Sequence, residues 1–311
     1  MKLKAIDMRT SQAIVLSLIL LVFNSIGFAQ QDPLYAQYLV NPLVINPAYT
    51  GINNALNANI NYRSQWNGIE GQPNTVNVSA HSSLFKNKIG GGVLISNDVI
   101  GNLSTTEINV TAAYKIDFGR STFSYGMQFG TQSYRTDFSE LSIYDSDDNA
   151  FLAGERGTRV NVGVGAILMN DSYFIGFSVP RLVPSTFENA NQQFDLYNQH
   201  FYLSAAYVFF STEKIQFKPS ILFRGVLGAP ASLDFSLSGR IDRKHSVGIF
   251  TRNFNTYGIL LSTVLANKVN LGYVFELPTN ESVGTNFLTH EISLGIRLSV
   301  FSYHVNSLGS F

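Results

Sequence analysis

From Leu56 onward, apolar and polar residues alternate with a period of two. In Asn57–Arg63 the side chains of Ala58, Ile60 and Tyr62 share one face, opposed by three Asn and an Arg. In Thr158–Leu168 the residues Val160, Val162, Val164, Ala166 and Leu168 oppose Arg159, Asn161, Gly163 and Gly165. A period of two marks strands with one apolar face, because successive side chains point to opposite sides of a pleated chain. The pattern predicts strands at 56–63, 74–81, 88–97, 105–115, 121–134, 157–169, 172–180, 200–210, 215–225, 231–240, 245–252, 256–265, 268–277 and 287–298. Most have the length that a tilted membrane strand requires. The connections alternate between longer and shorter, with 135–156 and 181–199 the longest. That is the asymmetry of an outer-membrane barrel, whose periplasmic turns are short and whose outer loops are long. The fold class expected is therefore all-β: an up-and-down antiparallel transmembrane β-barrel of about 14 strands, with both termini periplasmic.

The polar face carries Arg63, Glu107, Arg159, Lys218, Arg224, Asp234, Arg240, Glu276, Glu291 and Arg297. An Arg or Lys facing lipid at the midplane costs about 2–4 kcal/mol, so in a barrel these residues face the lumen. A soluble β-sandwich would alternate in the same way, with its charges in water and its apolar faces together; the loop asymmetry favours the barrel. Aromatic Tyr114, Phe123, Tyr173, Tyr207 and Phe217 fall near the proposed periplasmic ends, where a girdle would sit. Pro219 cannot donate to a ladder, which predicts a bulge or a shifted boundary in the strand that contains it.

The N-terminus reads as an export signal. Lys2, Lys4 and Arg9 precede an apolar run from Ala13 to Phe23 that is too short to span a bilayer, and Gly27 and Ala29 flank a cleavage site before Gln30. Removing 1–29 leaves 18 basic and 20 acidic residues. So balanced a chain argues against nucleic acid, whose binding needs clustered Lys and Arg. With no Cys, lipidation at a cysteine, disulfides and thiolate metal sites are excluded. The domain division expected is a signal peptide at 1–29, a periplasmic N-terminal segment at 30–55, the barrel at 56–300 and a C-terminal tail at 301–311.

Ahead of the first strand, Gln31-Asp32-Pro33-Leu34-Tyr35-Ala36-Gln37-Tyr38 and Asn46-Pro47-Ala48-Tyr49-Thr50-Gly51 do not alternate, and their prolines favour extended and turn conformations. Such a stretch reads as a linker, or as an ordered docking or lumen-filling segment. These two motifs and the block from Arg63 to Thr75 (RSQWNGIEGQPNT) resemble the PorP/SprF family of type IX secretion. Further likeness follows in order at Asn97–Gly101, Tyr173–Pro180, Lys218-Pro219-Ser220 and Thr289–Leu294. The resemblance implies an outer-membrane barrel that works with periplasmic ring and motor proteins and is paired with secreted surface adhesins, some used in gliding. The tail from Ser302 to Phe311 departs from the family pattern, which tends to end soon after the H-E-I-x-L strand.

No catalytic constellation emerges, and neither an enzyme activity, a cofactor nor a metal is expected. His81, His200, His245, His290 and His304 are scattered, and adjacent His290 and Glu291 point to opposite faces of a strand. Asp145–Asn149 imitates the opening of a calcium loop but has Ala150 and Arg156 where the Gly and Glu belong, so an acidic outer loop is the better reading. Barrel closure pairs the first strand with the last, which would set Arg63 and Glu291 inward at one end of the seam; they either pair or are solvated separately. The partners expected are outer-membrane lipid, periplasmic secretion ring or motor proteins, and a secreted adhesin or effector. The candidate contact residues are Asp32, Pro33, Gln37, Tyr38, Asn46, Pro47, Tyr49 and Gly51, with Arg63, Gln65, Trp66, Gly68 and Pro73. The loop count sets these two groups on opposite sides of the membrane unless the first segment threads the lumen. A passive channel or hydrophobic-solute transporter is the alternative reading.

Overall fold

A computed structural model describes residues 36–137, 156–183, 185–189, 192–197, 199–210, 214–226, 229–279 and 285–304. The calcium-like stretch Asp145–Asn149, the signal peptide and Asp32-Pro33 lie outside the described residues. The wall begins with β1 (Leu56–Ser64), β2 (Asn74–Leu84), β3 (Ile89–Ile100), β4 (Leu103–Phe118), β5 (Ser121–Thr136), β6 (Arg156–Met169) and β7 (Tyr173–Val179). A separate hairpin, β8 (Ser185–Asn189) and β9 (Gln192–Tyr197), occupies the connection after β7. Next come β10 (His200–Tyr207), its short continuation β11 (Phe209–Phe210), β12 (Ile215–Val226) and β13 (Ala229–Ile241). The last four are β14 (His245–Arg252), β15 (Thr256–Leu265), β16 (Val269–Pro278) and β17 (Thr289–Leu298).

Each wall strand is hydrogen-bonded to its neighbours in chain order, β1 pairs with β17, and β7–β10–β12 bridge the remaining gap. Counting β10 and β11 as one stave and leaving out the hairpin, this is a closed antiparallel barrel of 14 strands. Closure gives every wall strand a neighbour on each side, the condition for a sheet in hydrocarbon. The faces divide sharply: Ile60 and Tyr62 are each 47% exposed, whereas Asn61 and Arg63 between and beside them are 0% and 1%. The apolar face therefore points away from the lumen along the whole wall, as lipid requires.

The longer strands come from residues the sequence assigned to loops. Residues 98–104 are mostly in strand, and only Gly101-Asn102 turn between β3 and β4. At Pro219 the β12–β13 register runs through without a bulge; the shift falls at Arg224/Val226 instead. Pro219 is tolerated because the β10 side of the ladder stops at Ala206↔Ser220 and resumes at Phe209↔Phe217, so the missing N–H falls in the gap. At the chain's other end, Asn87 donates to the Tyr303 carbonyl (2.7 Å) and His304 lies against Ser83, so the described start of the tail is docked on the β2–β3 turn.

Of the readings open for the stretch before β1, residues 36–55 take the lumen-filling one. They form three 3-10 turns, Ala36–Leu39, Pro42–Val44 and Pro47–Tyr49, and lie inside the cylinder. The physical reason is composition: Ala36, Tyr38, Leu43, Ile45, Ala48, Tyr49 and Ile52 would otherwise be left in water, and burying each large one is worth about 1.5–3 kcal/mol.

Candidate functional site: the filled lumen

The segment is stiffened by its own sequence. Pro42 and Pro47 open two of the turns, the position where a missing N–H costs least, and the Asn46 side chain caps the Pro47 turn by accepting from the Ala48 N–H at 2.9 Å. Thr50 donates back to the Pro47 carbonyl at 2.7 Å.

Three apolar clusters then bind it to opposite parts of the wall. Leu43, Ala48, Tyr49 and Ile52 pack with Ile167 and Phe174; Tyr38 and Ile45 pack with Tyr202 and Leu222; Ala36 packs with Phe250, Leu260 and Val274. Ile167, Leu222, Phe250, Leu260 and Val274 are apolar residues on the inward, otherwise polar face of their strands. Their break with the alternation was a signal, present in the sequence, that something apolar occupies the lumen.

Polar wall residues take up the segment's backbone. Ser178 donates to the Ile45 carbonyl, Ser124 to that of Ala48 and Lys115 to that of Gly51, each at 2.7 Å; Arg297 donates to Asn53 at 2.8 Å. In return, the Gly51 N–H donates to His81 Nδ1 at 2.9 Å, and Asn46 donates to the carbonyls of Ala166 and Phe177. Buried polar groups stay satisfied this way, and the segment is held in one register. Room is made by inward glycines: a Cβ on Gly126 would lie 2.6 Å from Ala48 Cα, and one on Gly90 would collide with the Thr50 carbonyl.

At the end of the barrel that bears the long loops, the segment meets a buried charge network. Arg63 Nη1 and Nη2 each lie 2.8 Å from a different oxygen of Glu276, and Nη1 lies 3.1 Å from Glu291. Asn61 donates to the other Glu291 oxygen at 2.9 Å. Arg252 Nε reaches Asp234 at 3.2 Å, with Nη1 3.7 Å from Glu276. The Tyr38 hydroxyl donates to Asp234 at 3.2 Å. Arg63 and Glu291 are register partners across the closing seam. The bidentate partner, Glu276, is on the next strand and was not anticipated as one.

The candidate residues thus fall into two groups joined by this network. Tyr38, Asn46, Pro47, Tyr49 and Gly51 are buried in the lumen, and Gln37 lies in the first turn of the segment. Arg63 is in the network. Beyond it, the β1–β2 loop is folded by Gln65 N–H to the Pro73 carbonyl at 2.9 Å, Trp66 N–H to Thr289 at 3.3 Å and Gly68 N–H to Gln72 at 2.9 Å. Trp66 is half-buried with φ of +56°, Gly68 is exposed and Pro73 is buried. Among the described residues no group of three or more His, Asp or Glu could hold a metal ion.

Comparison with known proteins agrees with this architecture. The family model for the type IX secretion system membrane protein PorP/SprF matches residues 27–296. No curated protein matches the sequence. Among solved structures, the CymD monoaromatic hydrocarbon channel aligns at TM-score 0.51 and 11% identity, over 89% of this chain and 96% of its own. The toluene transporter TodX of P. putida gives 0.51 and 9%, over 84% and 95%. The outer membrane protein Omp33 of Acinetobacter baumannii gives 0.47 and 10%, over 80% and 100%. At such identities the likeness is one of fold: an outer-membrane β-barrel.

Proposed function

The chain belongs to the PorP/SprF family of type IX secretion system membrane proteins, and on that footing we propose that it is a non-enzymatic, plugged barrel that holds a secreted adhesin or effector at the outer membrane. In this reading the termini and short turns face the periplasm, where the ring and motor proteins act, and the long loops face outward. The observation that carries it is the filled lumen: residues 36–55, which hold the Gln37-Tyr38 end of the first motif and the whole N-P-A-Y-x-G motif, are packed against both sides of the wall. The charge network joins Tyr38 to Arg63, the first residue of the R-x-Q-W-x-G block. A segment so placed couples the periplasmic mouth to the outer β1–β2 loop. The N-P-A-Y-x-G motif, Tyr38 and the start of the R-x-Q-W-x-G block then lie along one connected path.

The test is an in-frame deletion of Asp32–Gly51 in the producing bacterium. The barrel should still reach the outer membrane, and the secreted surface protein should no longer be displayed; normal display would overturn the proposal. Planar-bilayer recordings address the passive-channel reading, which the likeness to CymD and TodX raises. The full chain should be silent and the deletion should conduct, whereas steady conductance by the full chain would favour the channel.

A further inference from the structure

At β7 the chain leaves the wall early. Its ladder with β6 ends at Val164↔Val179, although β6 continues outward to Arg156. The next three residues, Pro180-Arg181-Leu182, are held by three wall strands instead. Gln128 on β5 donates to the Pro180 carbonyl at 2.8 Å, and a Cβ on Gly163 of β6 would lie 2.2 Å from that oxygen, so the glycine makes the space. The Leu182 N–H donates to the Val162 carbonyl at 2.8 Å. Arg181 reaches as far as β4, where its Nε and Nη2 lie 3.1 and 2.5 Å from one oxygen of Glu107. The other oxygen accepts from Asn109 and Asn161 at 2.6 and 2.9 Å. Those two amides fix the carboxylate, which is the partner a planar guanidinium holds best.

This seat is separate from that of the lumen segment. Ser124, Gly126 and Gln128 are successive inward positions of β5; the first two meet Ala48, and the third meets Pro180, further toward the long-loop end. Gly126 and Gln128 are about 7 Å apart, at about 3.3 Å per residue of strand. Beyond the strap the grip ends: Val183 is 52% exposed, and β8 and β9 form a sheet of their own. Gln199 donates to the Leu182 carbonyl at 3.3 Å, which ties the two ends of the connection together. A hairpin closed at its base and laddered with itself opens as one unit about that base.

We propose that residues 180–199 are a lid at the long-loop end, latched by Arg181 on Glu107: when that pair parts, strap and hairpin lift together while the lumen segment keeps its seat. Such a lid yields to a partner arriving from the long-loop side without opening the barrel. The inference stands on these contacts and holds whether that partner is a secreted protein or a solute.

The experiment uses the full mature chain in detergent and chymotrypsin, whose sites include Phe187 and Phe194 in the hairpin and Tyr38 and Tyr49 in the lumen segment, with fragments identified by mass. Glu107→Gln and Arg181→Met should each speed cleavage in the hairpin about tenfold or more, because proteolysis follows the open population, and the double variant should go no further than either alone. Cleavage at Tyr38 and Tyr49 should stay at the wild-type rate. Gly163→Ala keeps both charges and pushes a methyl group against Pro180, and it should act in the same way. Unchanged hairpin cleavage in Arg181→Met or in Gly163→Ala, or additive effects in the double variant, overturns the lid. So does a lumen segment cut as fast as the hairpin, which would make the pair a staple of the whole fold.

Discussion

Arg63 offers the most direct measure of how the seam and the lumen are held together. Replacing it with Met removes a buried cation that Glu276 and Glu291 share, leaving Glu276 with Arg252 at 3.7 Å and Glu291 with Asn61. Breaking a buried pair by deleting one partner costs about 3–5 kcal/mol, because the survivor remains desolvated and uncompensated. The geometry also ranks the two partners. Arg63 gives two hydrogen bonds of 2.8 Å to Glu276 and one of 3.1 Å to Glu291, which also receives Asn61. At about 1.5–3 kcal/mol for each charged hydrogen bond, the coupling should be about 3–6 kcal/mol with Glu276 and about 1.5–3 kcal/mol with Glu291. Double-mutant cycles on Arg63→Met, Glu276→Gln and Glu291→Gln measure both, with urea titrations read by the migration of unheated folded barrel. The folded barrel should persist in every variant with an unchanged urea slope. Coupling to Glu276 below about 0.5 kcal/mol, or smaller than that to Glu291, would refute the ranking and with it the view that Glu276 is the principal partner.

Two other substitutions examine the lumen segment. Tyr38→Phe loses the hydrogen bond to Asp234 and should lower stability by about 1–2 kcal/mol at neutral pH, read as a shifted urea midpoint. Gly126→Val puts side-chain atoms where Ala48 lies, so the segment should leave its seat while the wall stays closed, seen as new conductance and protease cleavage within 36–55; a silent, protease-resistant variant would count against the seating described.

The wall was legible because lipid on one side and polar groups on the other impose a period of two on every stave, and that period survives variation in individual residues. Boundaries were less so: Asp98, Gly101 and Asn102 make 98–104 read as a loop, yet all of it but Gly101-Asn102 extends β3 and β4. The hairpin β8–β9 falls within 181–199, which the sequence reading assigned to a loop. Pairing Arg63 with Glu291 needed only the seam register, whereas finding Glu276 needed the side-chain reach of Arg63 across β17, which periodicity does not supply. The position of 36–55 was written in two halves: short apolar and proline-rich turns before β1, and Ile167, Leu222, Phe250, Leu260 and Val274 out of step on the polar face. Neither half is decisive until the barrel closes and brings them within contact.

The lumen segment also constrains how the barrel can be made. Its side chains are gripped by β6 and β7 on one flank and by β10, β12 and β14–β16 on the other, and it runs directly into β1. A finished cylinder could not admit twenty residues in that register without prying those grips apart. A sheet that curls around this segment before the wall closes avoids that cost. Insertion machinery would receive a chain that already carries its stopper, and no unstoppered pore need ever stand open in the membrane.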